Sequence, residues 1–334
     1  MEIPTRGRAV VATSSGPVDV LTDVELDVPP PGSRDLLVDV RAVSVNPVDV
    51  KLRGGALPGG EGAQVLGYDA AGVVLAVGEQ VTSFAVGDEV YYAGSISRPG
   101  SNQQFQLVDE RVTGRKPASL DFAEAAALPL TTITAWETLF ERWKLRADST
   151  GTLLVMGAAG GVGSIIVQLA RQLTGLTVIA AVGRPESGEW IRGLGAHHVV
   201  DRNDLLADVA AIAPRGVDHV FSPFSEGMVE TYSQVMAVGG SVVAVDEPEG
   251  QDTLPLKWKS QGWHWEFMFT KVLHDPESTA HHELLGEVAR LVDAGTLRTT
   301  LGTRLSPIDA ATLQEAHRLL ESSSTIGKVV LAVE

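Results

Sequence analysis

Eleven consecutive residues constrain this chain more than any others: Leu153-Leu154-Val155-Met156-Gly157-Ala158-Ala159-Gly160-Gly161-Val162-Gly163. The run opens as unbroken apolar sequence, which a strand buried on both faces requires. Glycines follow. Then Val162, Ile165, Ile166, Leu169 and Leu173 recur at helical spacing and make one apolar stripe. After Gly175, the apolar run Thr177 to Val182 completes a strand-helix-strand unit of about 30 residues. Gly160 leaves the backbone open to close approach by a pyrophosphate, and Gly163 lets the helix pack tightly on the strand. The helix start offers unpaired N–H groups and a positive dipole end to an anion. Ala158 holds the first place of the usual G-x-G-x-x-G. Ala158, Ala159, Gly160, Gly161, Val162 and Gly163 are therefore the expected dinucleotide-binding turn.

The end of the second strand refines this. A unit that holds NAD carries Asp or Glu there to bind the ribose hydroxyls. This chain has Val182-Gly183-Arg184, with Glu186 only beyond Pro185. A missing acid and an arginine together favour the 2′-phosphate of NADPH.

Composition sets outer bounds. The 334 residues carry a formal net charge of −16, which disfavours nucleic acid and anionic membranes as partners. There is no cysteine, so disulfides, thiolate catalysis and Cys-ligated zinc are excluded. Met1 to Arg8 has no signal-peptide core, and the longest apolar stretch is interrupted by Ser164 and Gln168. A cytoplasmic location is expected, with no membrane span.

The N-terminal third reads as β-rich. Arg8 to Thr13, Asp35 to Val45, Ala70 to Val77, Gly87 to Tyr92 and Gln104 to Val108 are strand-like. Asp121 caps a helix over Phe122 to Leu128, and Thr131 to Phe140 continues as helix after Pro129. From there to about Trp263 strands and helices alternate. Strands are expected at His197 to Asp201, Val217 to Phe221 and Gly240 to Asp246, with helices at Asn203 to Ala213 and Glu226 to Val238 between them. Such alternation implies a parallel sheet covered by helices on both faces. Helices at His281 to Ala294 and Ile308 to Glu321 and a strand at Lys328 to Val333 break the alternation and return to the first domain.

Three segments then carry a resemblance. Ala158-Ala159-Gly160-Gly161-Val162-Gly163, with Gln168 after it, resembles the quinone reductase signature. Val45-Asn46-Pro47-Val48-Asp49-Val50-Lys51-Leu52-Arg53 matches an Asn-Pro-x-Asp segment. Gly67-Tyr68-Asp69-Ala70-Ala71-Gly72, with Gly78 following, is similar to the zinc alcohol dehydrogenase signature Gly-His-Glu-x-x-Gly-x5-Gly. The chain resembles the medium-chain dehydrogenase/reductase superfamily over nearly its whole length. Within it, the zinc-free quinone oxidoreductase branch and the zinc-type alcohol dehydrogenase-like subgroup are nearest. The resemblance implies an α/β chain: a GroES-like β-rich catalytic domain over residues 1–127, a doubly wound Rossmann NADPH-binding domain over 128–268, and a return to the catalytic domain over 269–334. It also implies a homodimer.

The departures from the family pattern decide the chemistry. Catalytic zinc in the family takes a Cys near the Asn-Pro-x-Asp segment, a His in the Gly-His-Glu segment and a second Cys. Here those places hold Asn46, Tyr68 and Leu130, which do not furnish a tetrahedral N/S set. No zinc is expected. Without a metal to stabilise an alkoxide, hydride transfer suits acceptors that are already electron-poor, namely quinones and α,β-unsaturated carbonyls. Tyr68 and Asn46 are the expected donors to the substrate oxygen, and each is equally readable as a packed or turn residue. Asp49 is expected to order its loop through Lys51 or Arg53.

Further contacts follow from position in the resembled fold. Thr134 lies near the nicotinamide, Arg202 joins Arg184 at the adenosine end, Phe221, Ser222 and Val245 end strands, and Lys328 meets the pyrophosphate. The aromatic run Trp263 to Phe269 reads either as a hydrophobic seam or dimer contact, or as an apolar wall in which Trp265 and Phe267 receive a flat substrate. The expected activity is NADPH-dependent, zinc-independent reduction of a small hydrophobic quinone or enone. The alternatives are a metal-free carbonyl/alcohol oxidoreductase and an NADPH-retaining structural protein of the lens-crystallin kind.

Overall fold

The computed structural model describes residues 4–55 and 62–333. The chain forms two compact units, Met1–Ile133 with Phe269–Glu334, and Thr134–Met268. The division falls within the helix Pro129–Trp136, a few residues past the 127/128 boundary expected from sequence.

The second unit is built on six parallel strands: Thr150–Val155, Gly175–Val182, His198–Asp201, Val217–Ser222, Met236–Ala244 and Gly262–Trp265. Counted along the chain, their order across the sheet is 3-2-1-4-5-6. This is the doubly wound Rossmann order, which reverses direction beside the first strand. The helices Gly161–Leu173, Pro185–Gly193, Leu205–Ile212 and Val229–Val235 connect the first five strands. The first strand is central, so Leu153, Leu154 and Val155 are wholly buried, as an apolar run without alternation requires.

Two sequence expectations change here. The helix read over Glu226 to Val238 spans only Val229–Val235, and the strand read from Gly240 begins at Met236. Lys259 Nζ donates to the carbonyls of Ser233, Gln234 and Met236 at 2.9, 3.1 and 3.0 Å. The helix end is capped by a cation from a distant turn, where a charge meets the negative end of the helix dipole. The aromatic run is also not one patch: Gly262–Trp265 is the sixth strand, with Trp263 opposite Val242 and Trp265 opposite Ala244.

The first unit has a seven-stranded sheet. Its path runs Leu301–Leu305, Lys328–Ala332, Asp35–Ser44, Ala70–Val77, Glu89–Tyr92, Thr113–Arg115, and Phe105–Asp109 also pairs with Asp35–Ser44. A small sheet joins Leu21–Asp27, Arg6–Ala12 and Gln64–Val65. The C-terminal strand Lys328–Ala332 runs antiparallel to Asp35–Ser44, with Val330 opposite Ser44. Two residues before Val330 and two after Ser44, Lys328 arrives beside Asn46. On the other side Val43 faces Ala70, which brings Asp69 to the same end of the sheet. Register alone thus gathers Asn46, Asp69 and Lys328, which lie far apart in sequence.

Candidate active site

Each unit presents candidate machinery. In the second unit the strand Thr150–Val155 ends in the glycine turn, and Gly160 caps the helix Gly161–Leu173 in extended backbone. A Cβ on Gly163 would lie 2.6 Å from the Gly157 carbonyl oxygen and 2.7 Å from Ala158 Cα. Only glycine lets the first helical turn rest on this loop. Ala158 and Ala159 are buried, while Gly160, Gly161 and Val162 are half-buried. The amides of the first helical turn have no intrahelical acceptor, so the turn fits a pyrophosphate.

The strand tips beside it are basic. Arg184 caps the helix Pro185–Gly193 and is exposed. Arg202 follows the neighbouring strand; its N–H bonds the Val182 carbonyl at 2.9 Å. Its guanidinium lies over Gly183, where a Cβ would be 2.8 Å from Arg202 Nε. The structure therefore brings both arginines to one tip, a fit to the 2′-phosphate of NADPH that the residue types alone only suggested.

The other strand-end residues are corrected in part. Phe221 is wholly buried in the sheet core, and its side chain is unavailable to a ligand. The Ser222 hydroxyl is engaged by the Tyr232 hydroxyl at 2.7 Å and by Phe224 N–H at 3.3 Å. Val245 is half-buried, and its N–H bonds the Ser222 carbonyl at 3.1 Å. Thr134 is buried at the start of the unit. Trp265 and Phe267 stand at the carboxyl end of the sixth strand, 51% and 38% exposed. In open α/β sheets, that is the side on which ligands bind.

In the first unit a buried polar cluster forms where the three strands end. Asn46 precedes the helix Pro47–Gly54. The Asp49 carboxylate folds back to accept the N–H of Asn46 at 2.7 Å and the N–H of Gly67 at 2.9 Å. Gly67 has φ +110°, a backbone that glycine adopts without penalty. Asp49 thus orders the loop, but through two backbone amides. Arg53, its expected partner, bonds the Gly16 carbonyl, His317 and Glu321 instead.

Asn46 and Lys328 are also corrected. Asn46 Nδ2 donates to Asp69 Oδ2 at 2.8 Å, and its Oδ1 accepts from Lys328 Nζ. Its donor is spent inside the protein. Lys328 is 4% exposed. Its ammonium donates to Asp69 Oδ2 and the Val45 carbonyl, both at 3.0 Å, as well as to Asn46. All three protons are committed, leaving none for a pyrophosphate. Asp69 completes the cluster by accepting the N–H of Leu130 at 2.7 Å. Asp69 has no role among the sequence expectations. Its signal was an acid opening an otherwise apolar strand, which only a partner cation makes tolerable.

The electrostatics follow from burial. Desolvation pushes the Asp49 carboxyl up to about 7, against the pull of its two amide hydrogen bonds and of Lys328. Burial raises Asp69 too, opposed by Lys328 and Asn46. Burial, and after it the charge of Asp49, raises Tyr68 above the ordinary phenol range. The Tyr68 hydroxyl is therefore a proton donor, not a phenolate, at every ordinary pH. Its ring packs edge-on against Phe269, with centroids 5.6 Å apart, and no described side chain takes up its hydroxyl.

These residues do not fit a zinc ion. An ammonium already sits on the Asn46 and Asp69 oxygens, and Leu130 supplies an N–H rather than a lone pair. Among the described residues no three His, Cys, Asp or Glu side chains converge as metal ligands.

Comparison with known proteins agrees with the fold. Residues 32–134 match the alcohol dehydrogenase GroES-like domain, and residues 194–331 match the zinc-binding dehydrogenase family. A zinc-type alcohol dehydrogenase-like protein of Staphylococcus epidermidis is 37% identical, covering 92% of this chain and 94% of its own. The chloroplastic NADPH-dependent alkenal/one oxidoreductase of Arabidopsis thaliana is 32% identical over 98% of this chain and 80% of its own. A crystal structure from Rhizobium etli, provisionally named a zinc-dependent alcohol dehydrogenase, superposes with a TM-score of 0.93 at 47% identity, covering 99% of each chain. With both domain types in place and relatives of this identity along its length, the chain belongs to the medium-chain dehydrogenase/reductase superfamily and is an oxidoreductase of that superfamily.

Proposed function

We propose that this chain is an NADPH-dependent, zinc-independent reductase of α,β-unsaturated carbonyls or quinones. One observation carries the reading: Lys328, held by Asp69, Asn46 and the Val45 carbonyl, closes the place where zinc-using members of the family put their metal. No Lewis acid then polarises an alcohol, and the reaction suits an acceptor that is electron-poor by itself. NADPH, when bound, supplies hydride. The glycine turn positions its pyrophosphate, and Arg184 and Arg202 discriminate its 2′-phosphate. Tyr68 donates a hydrogen bond to the substrate oxygen as negative charge develops there. Trp265 and Phe267 offer an apolar face to a planar substrate. The alkenal/one activity in the name of the Arabidopsis relative supports the enone class.

The test is cofactor oxidation with a panel of enones and quinones, run with NADPH and with NADH, after elemental analysis of the dialysed protein. Turnover of an enone or quinone with NADPH and without stoichiometric zinc is expected. Zinc-restored activity after chelation would overturn the metal-free reading. Alcohol oxidation with NADP, without enone or quinone turnover, would instead establish the carbonyl/alcohol alternative.

A further inference from the structure

The glycine turn and the basic strand tip belong to two successive strand-helix units, and one side-chain contact joins their helices. The strands Thr150–Val155, Gly175–Val182 and His198–Asp201 are neighbours in that order across the sheet. Two right-handed crossovers taken in one direction lay the helices Gly161–Leu173 and Pro185–Gly193 on the same face. Ser164 closes the first turn of the former helix: its N–H bonds the Gly160 carbonyl at 2.9 Å. Ser164 is wholly buried. Its hydroxyl reaches back to the glycine turn, 3.4 Å from the Ala158 carbonyl oxygen. Trp190, half-buried on the latter helix, donates its indole N–H to the Ser164 hydroxyl oxygen at 2.9 Å.

Apolar packing anchors the second helix lightly. Its buried residues are Ser187, Gly188 and Ile191, and only Ile191 among them is a large apolar side chain. A hydrogen bond is directional, so the indole fixes the height and rotation of this helix against its neighbour. Arg184 caps the same helix, and any displacement of the helix carries Arg184 with it. The glycine turn is held independently, by the close approach of Gly163 to Gly157 and Ala158. A dinucleotide that meets the turn with its pyrophosphate and Arg184 with its 2′-phosphate makes both contacts only where their separation matches its own, to within about 0.5 Å. NADH has no 2′-phosphate and does not sense that separation.

We propose that the Trp190–Ser164 hydrogen bond sets the spacing between Arg184 and the glycine turn, which makes Trp190 a specificity-determining positioning residue for NADPH against NADH. The proposal rests on the NADPH reading given above. Trp190 acts through Arg184, not through a contact of its own with the cofactor.

The test is a double-mutant cycle on the full-length protein, read by isothermal titration with NADPH and with NADH. It compares wild type, Trp190→Phe, Arg184→Ala and the double variant. Phenylalanine keeps an aromatic ring in place and removes the N–H. Trp190→Phe should weaken NADPH binding roughly 3- to 10-fold, the equivalent of one neutral hydrogen bond. NADH should stay within about 2-fold, the scatter expected of uncoupled sites. In the Arg184→Ala background the same substitution should change NADPH binding by less than about 2-fold, because the residue it positions is gone. Equal losses for both cofactors would make Trp190 a packing residue. Losses that multiply in the double variant would mean that it does not act through Arg184. Either result overturns the proposal. Wild type that binds both cofactors alike would overturn the NADPH reading and this proposal with it. Wild-type discrimination that survives intact in Trp190→Phe overturns this proposal alone. Where Trp190→Phe fails to fold, Ser164→Ala removes the acceptor of the same bond and enters the same cycle, with an NADPH loss exceeding the NADH loss as the expected result and equal losses as the refuting one.

Discussion

At the scale of the residue, the chain is most exposed to error at Lys328. Removing one partner of a buried ion pair strands the other charge. Lys328→Met should therefore lower unfolding free energy by about 3–5 kcal/mol, leaving Asp69 buried without its cation beside Asp49. Adding Asp69→Asn should recover part of the loss, and urea titration of both variants checks this. Tyr68 gives the opposite profile. Its hydroxyl is held protonated by burial and has no internal bond to lose, so Tyr68→Phe should leave stability within about 0.5 kcal/mol, as for changes that break no packing or pairing. On the proposed reaction it should lower kcat for an enone by roughly 10²-fold, the cost of losing one donor to a developing oxyanion. Quinones, being more electrophilic, should suffer less. Steady-state kinetics with one substrate of each class separates the two effects.

At the scale of the element, the glycine turn and the basic tip make separable predictions. Gly163→Ala places a methyl against the backbone of Gly157 and Ala158, atoms that cannot rotate aside. The helix start must then shift, and affinity for NADPH and NADH should fall together. Arg184→Ala and Arg202→Ala leave the turn intact. Each should weaken NADPH by about 1.5–3 kcal/mol, the value of a hydrogen bond to a charged group, with little change for NADH. Isothermal titration with both cofactors tests the pair, and equal losses for both cofactors in the arginine variants would remove the 2′-phosphate assignment.

At the scale of the whole molecule, buried groups set how stability depends on pH. Asp49 keeps its proton up to about 7 in the folded chain against an ordinary value of 3.8, and Glu266 up to about 9 against 4.5. Each is an acid raised by folding, so between its two values the folded state holds the extra proton and stability falls as pH rises. His317 works the other way. Burial, with Arg53 beside it, pushes it down to about 4 from 6.5, so the unfolded state binds more protons there and stability rises with pH. Between about pH 4 and 6.5 His317, with His197 and His219 lowered by burial in the same direction, offsets the raised acids in part. Glu266 still titrates from pH 7 to 9 and by itself sets a limiting slope of about 1.4 kcal/mol per pH unit, and Asp69, which burial also raises, acts in the same direction. Stability should decline across that window, and Glu266→Gln should flatten the decline. Denaturant titrations at pH 7, 8 and 9 measure it.

The sequence by itself determined the strand-turn-helix over Leu153 to Leu173, the alternation behind the parallel sheet and the absence of a cysteine ligand set. These rest on period and residue type, which act over a few residues and are readable locally. It also marked Arg184, Arg202 and Tyr68, because a missing strand-tip acid and a substituted motif position are visible in the letters. The tertiary structure alone decided what Asn46, Asp49, Asp69 and Lys328 do. Register pairs Val330 with Ser44 and Ala70 with Val43; the donors of Asn46 and Lys328 are then taken up by Asp69, by each other and by backbone carbonyls. Lys259 capping the helix that ends at Val235, and Arg142 bonding Glu266, are the same kind of fact. Each joins residues from different elements, and at Asp49 and Asp69 burial raises the acid that is held there. No local pattern records such a meeting, because desolvation belongs to the packed chain and not to any segment of it.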